Sequence, residues 1–429
     1  LIKLPAAEAC RETARTAMRV DFAGQSRRGS WQIVGACAIH PTLQRQTTWL
    51  TAALPGFAAV FVGVGLGRFA YTPLVPFLVQ DGIDPVAANY AGAANLAGYF
   101  LGAAFAHRIG ALVGPGRAVR IALVLTLLSF LACAAPLGFA WLAFWRLIPG
   151  VTGAVLMILG ASLILNRVAA NVRGRAAGII MTGAGLGVVL ASAVIVPLAD
   201  HGLRFVWFAL AGLSLIATTA SWRAWHDGSV ALPDPMPAGG SRRFGPAILL
   251  ILVAYGCDGA GFVPHTIFWV DYVARALGLG PVWGSLSWLG FGLGALVGPV
   301  AVGALADRLG LGRTLALAFL VKGLAIALAI VSADPLALTL SAFLVGALSP
   351  GLATLISARL HELVDRQSHG KAWGLATLSF SAAQAAGGLG MSSAFAALQS
   401  YTPIYGAGAL LEAAGFALAG WAWISARGR

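Results

Sequence analysis

Run length constrains this chain more than any motif. From about Trp49 onward, apolar stretches of roughly 18 to 26 residues alternate with short polar breaks, and about 20 apolar residues on a helix cross the hydrocarbon core of a bilayer. The stretches are continuous rather than alternately polar and apolar, so they read as helices and not as barrel strands. Twelve are read, at about 53–79, 86–106, 119–138, 141–165, 175–198, 204–224, 246–271, 283–305, 314–332, 335–357, 372–398 and 403–425. Composition forces the same conclusion: 59% of residues are apolar and 10% are charged, against about 25% charged in soluble domains. Such a chain has too little polar surface to cover a globule in water. The expected fold is an all-α integral membrane protein of about twelve transmembrane helices.

The net charge of +13 would suit nucleic acid if the cations shared one face with stacking aromatics between them. They alternate instead. With the N-terminus inside, the cytoplasmic segments hold clusters such as Arg108, Arg117 and Arg120, then Arg167, Arg173 and Arg175, then Arg308 and Arg313. The opposite loops hold Arg204 and Arg275. Cytoplasmic excess of Lys and Arg sets topology, so the expectation is a multi-pass inner-membrane protein with both termini cytoplasmic, partnered by lipid and not by nucleic acid. Residues 1–48 are polar and basic, and read as a mobile cytoplasmic tail or as a helix whose Arg11, Arg15 and Arg19 touch anionic lipid. No secretory signal is read before the first span, and Met18 is a candidate start. Cys10, Cys37, Cys133 and Cys257 show no ligand spacing, so no disulfide, metal or cofactor is indicated.

A Pro-, Gly- and Ser-containing stretch at 226–244 reads as a cytoplasmic linker. It separates a six-helix bundle at 49–225 from another at 245–429. Two echoes support a repeat. Ala106-His107-Arg108-Ile109-Gly110 resembles Ala306-Asp307-Arg308-Leu309-Gly310, and Arg173-Gly174-Arg175-Ala176-Ala177-Gly178 resembles His369-Gly370-Lys371-Ala372-Trp373-Gly374. An even number of spans per half puts the halves in parallel orientation about an axis along the membrane normal, the arrangement in which a substrate cavity forms at the midplane between rocking halves.

The segment Gly303 to Arg313, with Asp307-Arg308, Gly310 and a further Arg, resembles the signature between paired helices of the major facilitator superfamily. The run Gly63-Val64-Gly65-Leu66-Gly67-Arg68-Phe69-Ala70-Tyr71-Thr72-Pro73 and the fifth-span glycines 183, 185 and 187 resemble its largely uncharacterised YbfB/YjiJ-type branch. The resemblance covers about residues 50 to 426. It implies two pseudo-symmetric six-helix bundles and a secondary transporter, working as a monomer, that moves a small organic solute by alternating access. It also implies a conformational latch at Gly303, Asp307, Arg308, Gly310 and Arg313. In the first half the signature has Ala103 for the usual Gly and His107 for the usual Asp. The Asp307 carboxylate can meet Arg308, Arg313 or a helix N-terminus in one state and release it in another, or Asp307 and Arg308 simply mark a solvated loop. The resemblance also makes Arg146, in Arg146-Leu147-Ile148-Pro149-Gly150, similar to a motif linked to proton coupling; a snorkelling role is the alternative.

Ionisable groups inside spans are costly and mark function or pairing. They are Arg68, Arg146, Asp258, His265, Asp271, Lys322 and Glu412. Matching Pro73 to Pro264 puts Arg68 and Asp258 at neighbouring depths on the first and seventh spans, which the resemblance places at the cavity. The expectation is an Arg68–Asp258 ion pair in which Asp258 accepts the coupling proton, with His265 relaying it toward Asp271, or else a static pair. Lys322 and Glu412 fall on spans that the resemblance places outside the cavity, and are expected to neutralise each other. Arg68, Tyr71, Asn95, Gln384 and Trp269 are the expected substrate contacts, and the arginines favour an anionic or carboxylated solute. Enzyme readings fail: His361-Glu362-Leu363-Val364-Asp365 lacks the second zinc-binding His, and no nucleophile elbow is present. A membrane sensor that binds a small ligand without carrying it is the alternative function.

Overall fold

The computed structural model describes residues 39–226, 244–365 and 368–427. Residues 1–38 of the expected tail and 227–243 of the expected linker lie outside the described residues. The chain divides after Thr51, and the described residues from Ala52 onward form one compact unit. Residues 39–51 are helical, part of a helix over Ile39–Val60, so the later part of the expected tail has regular structure.

Eleven helices are long and apolar enough to cross a membrane: α1 (Trp49–Gln80), α2 (Pro85–Val113), α3 (Pro115–Cys133), α4 (Phe139–Leu165), α5 (Arg173–Ala199), α6 (Leu203–Ala224), α7 (Pro246–Ala276), α8 (Gly280–Leu309), α9 (Leu311–Val331), α10 (Pro335–Leu363) and α12 (Thr402–Ser425). A twelfth, α11 (His369–Leu398), is 30 residues long but interrupted by Lys371, several serines and Gln384. It packs against α2 and α7, and Ser381, Gln384 and Ser392 on it are buried. Its polar groups face protein, which is why it is less apolar than its neighbours. Prolines open α2, α3, α7 and α10, where the missing N–H has no helical partner to lose. Asp334 caps α10 by accepting from the Ala337 N–H at 2.8 Å.

The two halves repeat at one constant interval. A Cβ on Gly98 of α2 would lie 2.2 Å from the Leu147 carbonyl oxygen of α4, and one on Gly294 of α8 would lie 2.1 Å from the Phe343 oxygen of α10. The same correspondence relates Gly102 against Val151 to Gly298 against Ala347, and Gly150 against Asn95 to Gly346 against Phe291. Backbones this close admit no side chain. The interval also relates Gly174 to Gly370, and Gly114 (φ 89°) to Gly310 (φ 84°), the left-handed turns that reverse the chain between α2 and α3 and between α8 and α9. The apparent partnership of His107 with Asp307 is therefore one helical turn out of register. Helix α2 runs on past Gly110 to Val113 before turning, so His107 stands opposite Gly303.

One end of the molecule carries Arg173, Arg175, Arg308, Arg313 and Lys371; among the described residues the opposite loops and helix ends carry Arg204 and Arg275. The halves meet toward the second, sparsely charged end. There Gly388 of α11 packs on Ala93 and Leu96 of α2, and Tyr90 and Ser393 share a hydrogen bond of 2.8 Å. Gly292 of α8 packs on Val188 and Val189 of α5. Toward the basic end, side chains added at Gly174, Gly178, Gly370 or Gly374 would meet nothing within 4 Å, while Ala176, Ile180, Ala372 and Ala376 on the same turns are buried, so one face of each of α5 and α11 is open there.

Candidate functional site

Two helices at the seam between the halves are broken. In α1 a π-helical turn, Phe61–Leu66, gives way to a 3₁₀ stretch, Phe69–Leu74. Glycines at 63, 65 and 67 and Pro73 make the regular ladder dispensable there. Helix α7 is regular over Pro246–Gly261 and continues as a π-helical turn over Pro264–Phe268. Pro264 lacks an N–H, and Gly259 and Gly261 precede it.

The carbonyls at the α1 break are all accounted for, as buried backbone acceptors must be. Gly67 O accepts from Arg146 Nη1 at 3.1 Å and from Asn95 Nδ2 at 3.2 Å. Arg68 O faces Arg146 Nη2 at 3.5 Å. Phe69 O accepts from Trp288 Nε1, across the seam, at 3.1 Å. Arg146 is 1% exposed and lies 4.4 Å over the Tyr71 ring; it does not snorkel. Tyr71 donates to Ala88 O at 2.8 Å, because the 3₁₀ stretch turns it toward α2 and α4. At the α7 break, Thr266 O accepts from Thr72 Oγ1 at 2.5 Å, which ties the two breaks together.

The unwinding at Gly67 also turns Arg68. Its Cζ sits 5.1, 5.2 and 5.6 Å from the ring centres of Phe69, Tyr99 and Phe262. It is 8% exposed, and its Nε and Nη2 have no hydrogen-bond partner. The expected Arg68–Asp258 ion pair is not formed. Asp258 Oδ1 instead accepts from Lys322 Nζ of α9 at 2.5 Å, and Glu412 Oε1 of α12 lies 3.7 Å from the same nitrogen. All three side chains are 0% exposed. Lys322 and Glu412 do face each other, as expected, but with Asp258 as a third member. Lys322 lies 4.4 Å over the Phe262 ring, so that one aromatic ring touches both cations.

Gln384 of α11 is fully buried with neither amide atom bonded. Phe380, one turn earlier, packs on Tyr255 and Phe262 at 4.7 and 5.9 Å. One turn later Gly388 meets α2. Tyr255 is within electrostatic reach of Asp258, Tyr99 and Arg68. These residues gather Arg68, Tyr99, Tyr255, Phe262, Phe380 and Gln384 around the seam. Tyr255, Phe262 and Phe380 carry no sequence signal against an apolar background; only their contacts identify them.

The other expected residues lie elsewhere. His265 Nε2 donates to Ser341 Oγ at 3.1 Å, because that hydroxyl already donates to Ala325 O at 2.6 Å. The ring stacks on Trp269 at 4.2 Å. The expected relay from Asp258 through His265 to Asp271 is not assembled, since the π-helical turn rotates His265 toward α10. Asp271 is held by Arg275, Nε to Oδ1 at 2.5 Å and Nη2 to Oδ2 at 2.7 Å, and by the Tyr401 hydroxyl. Burial, together with the neighbouring Asp271 carboxylate, pushes the Tyr401 phenol above its usual range, so it stays a donor. Trp269 is fully buried and donates to Ser287 Oγ at 2.9 Å. In the latch, a side chain added at Gly303 would meet nothing within 4 Å, and Asp307 and Arg308 are exposed. Neither forms an ion pair among the described residues, and Arg313 lies 5.3 Å over Trp423.

No curated protein matches the chain in sequence. Among solved structures, the crystal structure of a D-xylose-proton symporter is similar with a TM-score of 0.67 at 15% identity, covering 88% of this chain and 97% of that one. At that identity the likeness shows the fold alone, the two-bundle fold of the major facilitator superfamily. The family model described as "Uncharacterised MFS-type transporter YbfB" matches residues 60–421. A match over most of the chain shows its membership: the chain belongs to this YbfB-type family of major facilitator transporters.

Proposed function

We propose that the chain is a secondary active transporter of the cytoplasmic membrane, with both termini inside, that carries a small anionic organic solute by alternating access coupled to protons. The observation that carries the solute class is Arg68. A guanidinium at bilayer depth costs several kcal/mol, roughly 2.5 to 3.5 on insertion scales, and this one is buried with two N–H groups unbonded. An incoming carboxylate supplies the missing acceptor in bidentate geometry. The rings of Phe69, Tyr99 and Phe262 suit a flat apolar body beside it, and the Gln384 amide offers one further donor and acceptor. On the positive-inside rule the basic end is cytoplasmic. The contacts at the other end then close the outer face, and the exposed Asp307 and the open glycine faces of α5 and α11 support an inward-facing state.

Benzoate is the minimal probe of this chemistry, one carboxylate on one ring. Purified protein should gain thermal stability from benzoate or a larger aromatic monocarboxylate, since a ligand of the folded state raises melting by mass action. Proteoliposomes loaded with that compound should show counterflow. Binding without counterflow would favour the sensor reading. No response to any member of a carboxylate panel would sink the proposed solute class.

A further inference from the structure

Glu412 is fully buried, and neither carboxylate oxygen has a hydrogen-bond partner. Yet it occupies a slot shaped around it. At Gly261 of α7 a Cβ would fall 2.9 Å from Glu412 Oε1, and at Gly323 of α9 one would fall 3.1 Å from Glu412 Cβ. The nearest charge, Lys322 Nζ at 3.7 Å, is already bonded to Asp258. Asp258 Oδ2 is itself without a partner. One ammonium thus stands between two carboxylates away from water. With all three ionised the cluster carries one net negative charge, and an uncompensated buried charge is strongly unfavourable.

We infer that Asp258, Lys322 and Glu412 form a single proton-binding site, in which one exchangeable proton is held between the two carboxylates and Lys322 leans toward whichever is ionised. The step balances: a proton leaves water, ends on a carboxylate oxygen and takes the cluster from net negative to neutral. What the proton does for transport rests on the function proposed above. Gly261, against which the Glu412 carboxyl lies, closes the regular part of α7. The α1 break is held by Arg146, a cation across the whole physiological range. The α7 break faces a cluster whose charge changes, so protonation acts on one hinge of the pair and leaves the other unaltered.

The surroundings leave few competing titrations. Tyr255 is within electrostatic reach of Asp258, and Cys257 within reach of Asp258 and Glu412; both groups ionise only in alkali in the ordinary case. His265 is near enough to Lys322 to feel its charge, but faces Ser341 of α10. Arg68 of α1 shares the Phe262 ring. Helix α11 contributes Phe380 against Gly259, which does not titrate.

The test is infrared difference spectroscopy of the full-length protein in lipid, titrated between roughly pH 5 and pH 9 in H₂O and D₂O. Wild type should show a protonated-carboxyl band that shifts in D₂O and fades as pH rises. Glu412→Gln and Asp258→Asn should each abolish it, because Lys322 then neutralises the single carboxylate left. Lys322→Met should enlarge it, since two carboxylates then need two protons. Should that variant not fold, the near-isosteric Gln and Asn variants carry the test. Gly261→Ala, which crowds the carboxyl without changing any charge, should move the midpoint of the titration. Absence of a titrating band in wild type, or its survival in either carboxylate variant, would overturn the assignment. The measurement needs no substrate: loss of counterflow with the band intact counts against the transporter reading alone, and the reverse counts against the proton site alone.

Discussion

Phe262 stands between two buried cations with opposite circumstances. Lys322, 4.4 Å from its ring centre, is paired; Arg68, 5.6 Å away, is not. Removing either cation should therefore have opposed effects on stability. Lys322→Met strands Asp258 and Glu412 and should cost about 3 to 5 kcal/mol. Arg68→Ala deletes an unpartnered charge and should change stability by no more than about 1 kcal/mol, while abolishing binding of an anionic ligand. Thermal unfolding of the two variants in the same detergent compares them directly. A loss for Arg68→Ala as large as that for Lys322→Met would show that Arg68 is itself paired and not an unpartnered cation. The four charged residues of this region, Arg68, Asp258, Lys322 and Glu412, stand out in the sequence, because charges are rare in apolar runs. Which of them pair does not. The Arg68–Asp258 expectation treats α1 as an unbroken helix, and the turn at Gly67 reaims the guanidinium. The Lys322 connection joins α7 to α9, a contact that no local spacing encodes.

At the scale of elements, twelve helices were readable because bilayer thickness sets their length, but their ends were less so: α2 runs to Val113 where the reading stopped at 106, and α10 to Leu363 where it stopped at 357. Glycine and proline clusters stand at both breaks in the sequence, but α1 was read as one continuous span, and where the freed carbonyls go was not legible, since Arg146, Asn95 and Trp288 come from other helices. The repeat was readable with the wrong register in one place. The five-residue echo at 106 and 306 is a likeness of residues, whereas the matching glycine contacts set the true alignment. That alignment makes a paired prediction. Gly98→Ala and Gly294→Ala place a methyl 2.2 and 2.1 Å from equivalent carbonyl oxygens, so both should destabilise, each by about 1 to 3 kcal/mol or more, as overpacking does. Melting curves that leave either variant near wild type would refute the equivalence of the α2–α4 and α8–α10 contacts.

For the whole molecule, the proposed orientation and state make separate claims on accessibility. A cysteine at Ser368 should react with a membrane-impermeant thiol reagent from the cytoplasmic side and one at Asp84 from the exterior. A cysteine at Gly374, on the open face of α11, should be labelled from inside, and a benzoate-like ligand that closes the carrier should protect it. Labelling of Ser368 and Asp84 from one side would break the even-span topology.

The bond from Thr72 to the Thr266 carbonyl joins the two halves at their broken helices, and under the proposed alternating access it breaks when the outer end opens. Considered as a population and not as a contact, it is a weight on one side of a two-state balance. Thr72→Val keeps the shape of the side chain and removes the donor. A net hydrogen bond is worth about 0.5 to 1.5 kcal/mol, so the outward-facing fraction should rise several-fold without any change at Arg68 or the carboxylates. Spin labels at positions 90 and 393, where the same end closes, would register the shift as a growing long-distance component. An unchanged distance distribution would mean that this bond does not weigh in the balance and that the other contacts at that end hold it shut.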